Sequence, residues 1–305
     1  MARTEYSSGA GNFYLHRVGI EYLVPLYQKK LTNLYSEIAP RTRSTDQRFI
    51  RVYTEGDFGM APQVNQMTGI PFDDFQTPYT LDVTPVKRGI AFAISSEALE
   101  TDQYGVNKNI VPKIARAFNK TKEQAAANMF ILANATDTNG PDGLPWADNS
   151  HPLEDGTVVD NLSADALSIT AMESMMQRIR KHKSHRGDPY PVMGPFMLMV
   201  PPDLEMLALR LTGGTEQPQT ANREINVARK RISTVHVNEY FTSTTAWGLK
   251  PMAAEDQGCV MLQRRPFRAK QDENIIKDAT VHACTEMYVF YQDNWRGFEK
   301  SVGTG

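Results

Sequence analysis

His182 and His185 lie three residues apart in Arg178-Ile-Arg-Lys-His-Lys-Ser-His-Arg186, the one close pair among the six histidines of the chain. A metal site built on them would need carboxylate or thiolate ligands on a rigid frame. Their charged neighbours are all cations, Arg178, Arg180, Lys181, Lys183 and Arg186, so no metal site is expected here. The same five cations form the densest basic run in the sequence and are the candidates for facing DNA. They can neutralise phosphates but have no interleaved aromatics for base stacking, so any binding should be salt-sensitive and blind to sequence. The plainer reading is a helix end, where cations suit the C-terminal dipole.

Other chemistry is sparse. Asp73-Asp74, Glu255-Asp256 and Asp272-Glu273 are acidic pairs in loop-like stretches with no histidine beside them, and they read as surface charge. Gly213-Gly214-Thr215 is too short to cradle a phosphate, and no nucleotide-binding glycine motif or nucleophile elbow occurs. Cys259 and Cys284 are the only cysteines, both in apolar strand-like segments, which suits two buried thiols. No catalytic residue and no cofactor is therefore assigned. With 33 basic and 35 acidic residues the net charge is −2, so a polyanionic partner has to be met by a local patch. No apolar run approaches the roughly 18 residues of a membrane helix. The N-terminus also lacks the apolar stretch of a signal peptide, so the chain is expected to act in the cytosol where it is made, with no membrane partner.

The elements that must carry these residues are read from periodicity. Asn109 to Asn134 has the clearest helical spacing: Val111, Ile114, Phe118, Ala125, Met129 and Leu132 form one line. Lys113, Arg116, Lys120 and Glu123 form the wet side, with Lys120 and Glu123 close enough to pair. Asn109 is the expected N-cap, and the helix would run about 39 Å. Ahead of it, residues 1–44 form an arm with a short helix near Val24 to Ser36. Thr45 to Ile94 then reads as a two-stranded ribbon with strands near Phe49 to Thr54 and Tyr79 to Ile94. The long tip between them is rich in Gly and Pro, and such loops are usually functional. Met60, Val64, Met67, Ile70, Phe72 and Phe75 in this tip cannot make a core of their own and are candidate inter-subunit contacts.

A second helix is expected over Ala164 to Lys181 with Ser163 as N-cap. Phe196 to Val200 is a wholly apolar strand stopped by Pro201-Pro202, and a helix follows it. Strands recur from Val227 to Tyr240, Trp247 to Leu249, Cys259 to Leu262 and Thr285 to Tyr291. The fold class is α+β.

This order of elements resembles tailed-phage major capsid proteins of the Hong Kong 97 type, and particularly the Mu-type major head subunit. The local motifs are Gly56-Asp57-Phe58-Gly59 to Pro62-Gln63, Ile94-Ser95-Ser96-Glu97 to Asp102-Gln103-Tyr104-Gly105, Ser150-His151-Pro152-Leu153 with Asn161-Leu162-Ser163, Leu198-Met199-Val200-Pro201-Pro202-Asp203, and Trp295-Arg296-Gly297-Phe298. The resemblance implies an N-terminal arm (1–44), an extended loop (45–94), a peripheral domain (95–186) with a spine helix (109–134), an axial domain (187–250) and return strands (251–305). It further implies a structural, non-enzymatic subunit that forms pentamers and hexamers of an icosahedral head around packaged double-stranded DNA. Assembly would take place in the bacterial cytoplasm. A portal and a separate scaffolding protein would be partners, with a decoration protein left open. The lysine–asparagine cross-link of one family member has no matching residues here. The rival readings are an encapsulin-like compartment shell and a soluble α+β hydrolase with a scattered active site.

Overall fold

The longest helix packs along the longest hairpin, and the rest of the chain builds on that pair. The structure is a computed structural model; it describes residues 17–54, 56, 58–65, 69–74, 79–97, 109–214, 226, 228–253, 258–274, 276 and 278–304. The helices are α1 (Arg17–Lys30), α2 (Tyr35–Ile38), α3 (Ile110–Ile131), α4 (Ile169–Arg180), α5 (Pro202–Gly213) and α6 (Ala228–Arg231). The strands begin with β1 (Arg41–Ser44), β2 (Ile50–Tyr53), β3 (Thr80–Val83), β4 (Val86–Ser95), β5 (His151–Pro152), β6 (Val158–Val159) and β7 (Leu162–Ser163). They continue with β8 (Phe196–Val200), β9 (Ile232–Val237), β10 (Trp247–Pro251), β11 (Cys259–Asn274), β12 (Ala279–Gln292) and β13 (Glu299–Ser301).

Helix α3 has 22 residues, slightly shorter than its periodicity predicts. Its first half buries Val111, Ile114 and Phe118 against Ile20 and Val24 of α1 and against Ala269 and Cys284 of the hairpin. Its second half buries Ala126, Ala127, Met129 and Phe130 among Trp146, Tyr288 and Phe298. The buried face therefore drifts, and Leu132 falls outside the helix as its C-cap. The drift overturns the expected Lys120–Glu123 surface pair. Glu123 is buried with Lys122, because α2 covers that side of the helix. Lys122 is neutralised by the fully buried Glu286 at 2.9 Å. Asn109 caps without a side-chain hydrogen bond.

A four-stranded sheet has the order β1-β11-β12-β4. Strands β11 and β12 form a hairpin from Cys259↔Gln292 to Asn274↔Ala279, with register breaks between Gln263 and Arg268. The sequence hides much of this hairpin. Gln263-Arg264-Arg265-Pro266 reads as a strand end, yet the breaks accommodate Pro266, which cannot donate to the ladder. At the hairpin base Gly258 passes the Asn294 carbonyl so closely that a Cβ would lie 1.6 Å from its oxygen.

The ribbon is shorter than predicted. Strands β2 and β3 pair over four residues each. The expected second strand breaks at Thr84-Pro85, and Val86–Ser95 instead joins the four-stranded sheet beside β12. The helix expected to start at Val24 begins at Arg17, keeps Pro25 inside it and ends at Lys30. The arm-like stretch from Arg17 to Ser44 thus lies on its own chain, where β1 runs parallel to β11.

The second sheet has the order β7-β13-β10-β8-β9. Strand β8 is buried throughout, as its composition predicts. Its core combines Leu198, Val200, Trp247 and Leu249 with Met172, Met175 and Ile179 of α4; burying each such side chain contributes about 1.5–3 kcal/mol. Helix α4 starts five residues later than predicted: Ser168, whose hydroxyl accepts from the Ala171 N–H at 3.1 Å, is the cap, and Leu162–Ser163 is a strand paired with β13. The closing strands therefore divide between the two sheets.

Candidate inter-subunit surface

The foot of the ribbon is held by a small apolar cluster. Because side chains alternate along a strand, Val52 and Val83 face inward onto Val260, Leu262 and Tyr291, while Arg51 and Asp82 face outward, Arg51 Nε and Nη2 donating to the two Asp82 carboxylate oxygens at 2.7 Å each. That fork is half exposed to water, so it fixes register more than it adds stability. The ladder ends where the Thr54 N–H donates to the Tyr79 carbonyl at 3.0 Å.

Beyond this point the tip carries large apolar side chains into solvent. Met60 is 76% exposed, Ile70 79% and Phe72 fully exposed, and Val64 is also exposed. Met67 and Phe75, the other two candidates, lie outside the described residues. Phe58 adds a further exposed ring that the sequence reading did not single out.

One polar clasp ties the tip to the body. Arg186 Nη1 donates to both carboxylate oxygens of Asp73 at 2.8 and 2.7 Å, and its Nη2 donates to the Asp74 carbonyl at 2.9 Å. The Gly59 N–H donates to Asp73 Oδ2 at 2.7 Å. The Arg186 guanidinium, followed by the Gly59 N–H, holds the Asp73 carboxyl below the usual carboxylate range. Asp73, read from the sequence as plain surface charge, is therefore structural.

The basic run separates in space. Arg178 turns inward and lies 2.8 Å from the fully buried Glu299, and Arg186 is taken by Asp73. Arg180, Lys181 and Lys183 remain exposed around the end of α4. His182 and His185 are buried. The sequence could not reveal these partners, because Asp73 and Glu299 are distant in the chain and sit in unremarkable contexts.

His182 belongs to a closed polar cluster around Trp295. Its Nδ1 accepts from the Gly297 N–H at 3.1 Å, so its proton is on Nε2, 3.5 Å from Glu299 Oε1. Burial, with Arg296 nearby, pulls the His182 pKa down to about 3, so the ring is neutral. His151 stacks on Trp295 with centroids 4.2 Å apart, and its Nδ1 lies 2.7 Å from Asp142. Burial pushes Glu299 up to about 8 against the pull of Arg178. These groups have the types of an acid–base site, but His151, His182 and Glu299 are buried, and what they join is the end of α4 to β13. Cys259 and Cys284 are buried thiols pushed up by burial to about 12 and 11, which keeps them protonated and unreactive. Among the described residues no group of three or more His, Cys, Asp or Glu side chains could hold a metal ion, and no helix is long and apolar enough to cross a membrane.

Comparison with known proteins gives this geometry a family. A family model described as phage capsid protein matches residues 78–300. No curated protein matches the chain by sequence. Among solved structures, the capsid of cyanophage A-1(L) is similar with a TM-score of 0.59 at 12% identity, over 90% of this chain and 92% of that one. The mature capsid of bacteriophage PhiM1 is similar with a TM-score of 0.56 at 11% identity, over 89% and 87%. The holo-SrpI encapsulin complex of Synechococcus elongatus is similar with a TM-score of 0.52 at 10% identity, over 86% and 84%. At these identities the likeness is one of fold, the Hong Kong 97-like capsid fold.

Proposed function

The chain belongs to the phage capsid protein family, it is a structural capsid shell protein, and from that premise we propose that its copies form the pentamers and hexamers of an icosahedral phage head around packaged double-stranded DNA. The observation that supports this assembly is the ribbon tip, with Met60, Ile70 and Phe72 in solvent. Such a surface is a liability for a lone subunit and a contact for an assembling one. A scaffolding protein and a portal are further partners, with a decoration protein left open, and the subunit is of the Mu type, assembles in the host cytoplasm and has no catalytic role. Packaged DNA is met through non-specific phosphate contacts by Arg180, Lys181 and Lys183, the exposed members of the basic run. Arg178, held against the buried Glu299, and Arg186, paired to the Asp73 carboxylate, serve the fold.

The fold is shared with an encapsulin, so contents decide between a head and a compartment. Electron microscopy of the protein expressed with its neighbouring genes should show closed shells copurifying with scaffold, portal and DNA. Shells filled with a cargo enzyme would instead favour the compartment, and monomers or dimers under every assembly condition would sink both.

A further inference from the structure

Arg186 stands in a tight turn that the body of the protein locks in place. The Ser184 N–H donates to the Asp188 carbonyl at 2.7 Å, and the Gly187 N–H donates to the Ser184 carbonyl at 3.1 Å. The turn closes because Gly187 takes a φ of +90°, which a residue without a Cβ adopts at little cost. The Glu154 N–H donates to the His185 carbonyl at 2.8 Å, tying the turn to the β5–β6 hairpin, and Arg296 Nε donates to the Lys183 carbonyl at 2.6 Å. His185 also packs edge-on against Tyr79, with ring centroids 5.4 Å apart, where the ribbon ladder ends. The Arg186 guanidinium is therefore aimed by a fixed backbone, and it gathers both arms of the tip. It meets Asp73 and the Asp74 carbonyl on the returning arm, and Asp73 Oδ2 in turn accepts from the Gly59 N–H on the outgoing arm.

Two features decide what this clasp does. It draws the two arms together, which removes in advance chain freedom that a neighbour would otherwise have to take away on binding. It does so while Met60, Ile70 and Phe72 stay in solvent, whereas a clasp that masked the tip would have buried them. A planar fork fixes direction as well as distance. We propose that Arg186 is a positioning residue for assembly: by clasping Asp73 it holds the ribbon tip in the pose that presents its apolar side chains to a second copy of the chain. The proposal rests on the shell reading above and adds to it how the tip is readied.

The test compares the full-length native chain with Arg186→Ala, Asp73→Ala and the double variant. The first readout is the lowest subunit concentration at which closed particles form, followed by light scattering and electron microscopy. Each single substitution should raise that threshold about threefold or more. The double variant should raise it no further than the worse single one, because both substitutions remove one shared contact. The unassembled subunits should all melt like the native one. Hydrogen exchange on them should show the Gly59 amide exchanging faster in both single variants. A native threshold in both single variants, two effects that add, or a lowered threshold overturns the proposal. If Arg186→Ala fails to fold, Asp73→Ala, whose side chain lies at the surface, decides through the threshold and the exchange rate. Failure of the native chain to form particles under any condition removes the shell reading and this inference with it, and the exchange measurement then still reports whether the clasp itself forms.

Discussion

At the scale of single residues, the chain buries ionisable groups that its sequence does not mark as buried. Glu299 occupies a three-residue strand, and nothing around it in the sequence marks it as buried. Arg178 reads as a helix-end cation, but the carboxylate it serves becomes visible only after α4 and β13 meet. The titration of Glu299 gives a test. Burial pushes its folded pKa up to about 8, whereas an unfolded glutamate titrates near 4.3. The folded state therefore holds the proton longer, so the stability contribution is fully present below about pH 4 and is lost as pH rises toward 8. Glu123, pushed up to about 7 by burial against the opposing pull of the Tyr35 and Leu34 backbone, acts in the same direction. Thermal melts between about pH 5 and 8 should show native stability declining and Glu299→Gln declining less. An unchanged pH slope in the variant would mean that Glu299 is ionised in the fold.

At the scale of elements, the strongest periodicities were readable and the junctions were not. The spine helix, the apolar strand β8 and the helix after Pro201-Pro202 follow directly from apolar spacing and composition. The ribbon was readable as two strands with a long tip, but Pro85 divides the second strand, so that only Thr80–Val83 stays in the ribbon. Long-range pairing decides such boundaries, and local pattern does not carry it. The root of the ribbon has its own buried residues, Val52 and Val83, whereas among the described residues the tip is tied to the body by the exposed Arg186–Asp73 clasp, a contact worth little in water. Replacing Gly59 to Pro78 by a short Asn-Gly turn should therefore leave circular dichroism near normal and melting cooperative, within about 1 kcal/mol of the native stability, while closed shells are lost. Normal particles from the shortened chain would show that the tip is not the clasp between subunits, and failure to fold would place the tip in the core.

At the scale of the whole molecule, the order of elements conveyed more than any one motif. An arm, a ribbon, a spine, a buried strand and a tryptophan-bearing close follow one another in the sequence. The structure packs them as one sheet along the spine and a second sheet on α4. The joins between these parts were illegible, since they depend on pairs such as Glu299 with Arg178 and Gly258 with Asn294 that are far apart in the chain. The two cysteines, which read as buried thiols, are free and buried in the fold. In the proposed assembly the subunit reserves its ribbon for a neighbour. The most direct measurement is a cryo-electron microscopy map of an assembled particle in which side chains are traced through residues 56–78. Met60, Ile70 and Phe72 should be buried against another copy of the chain. A closed particle in which these side chains still face solvent, or fold back onto their own subunit, would contradict the account.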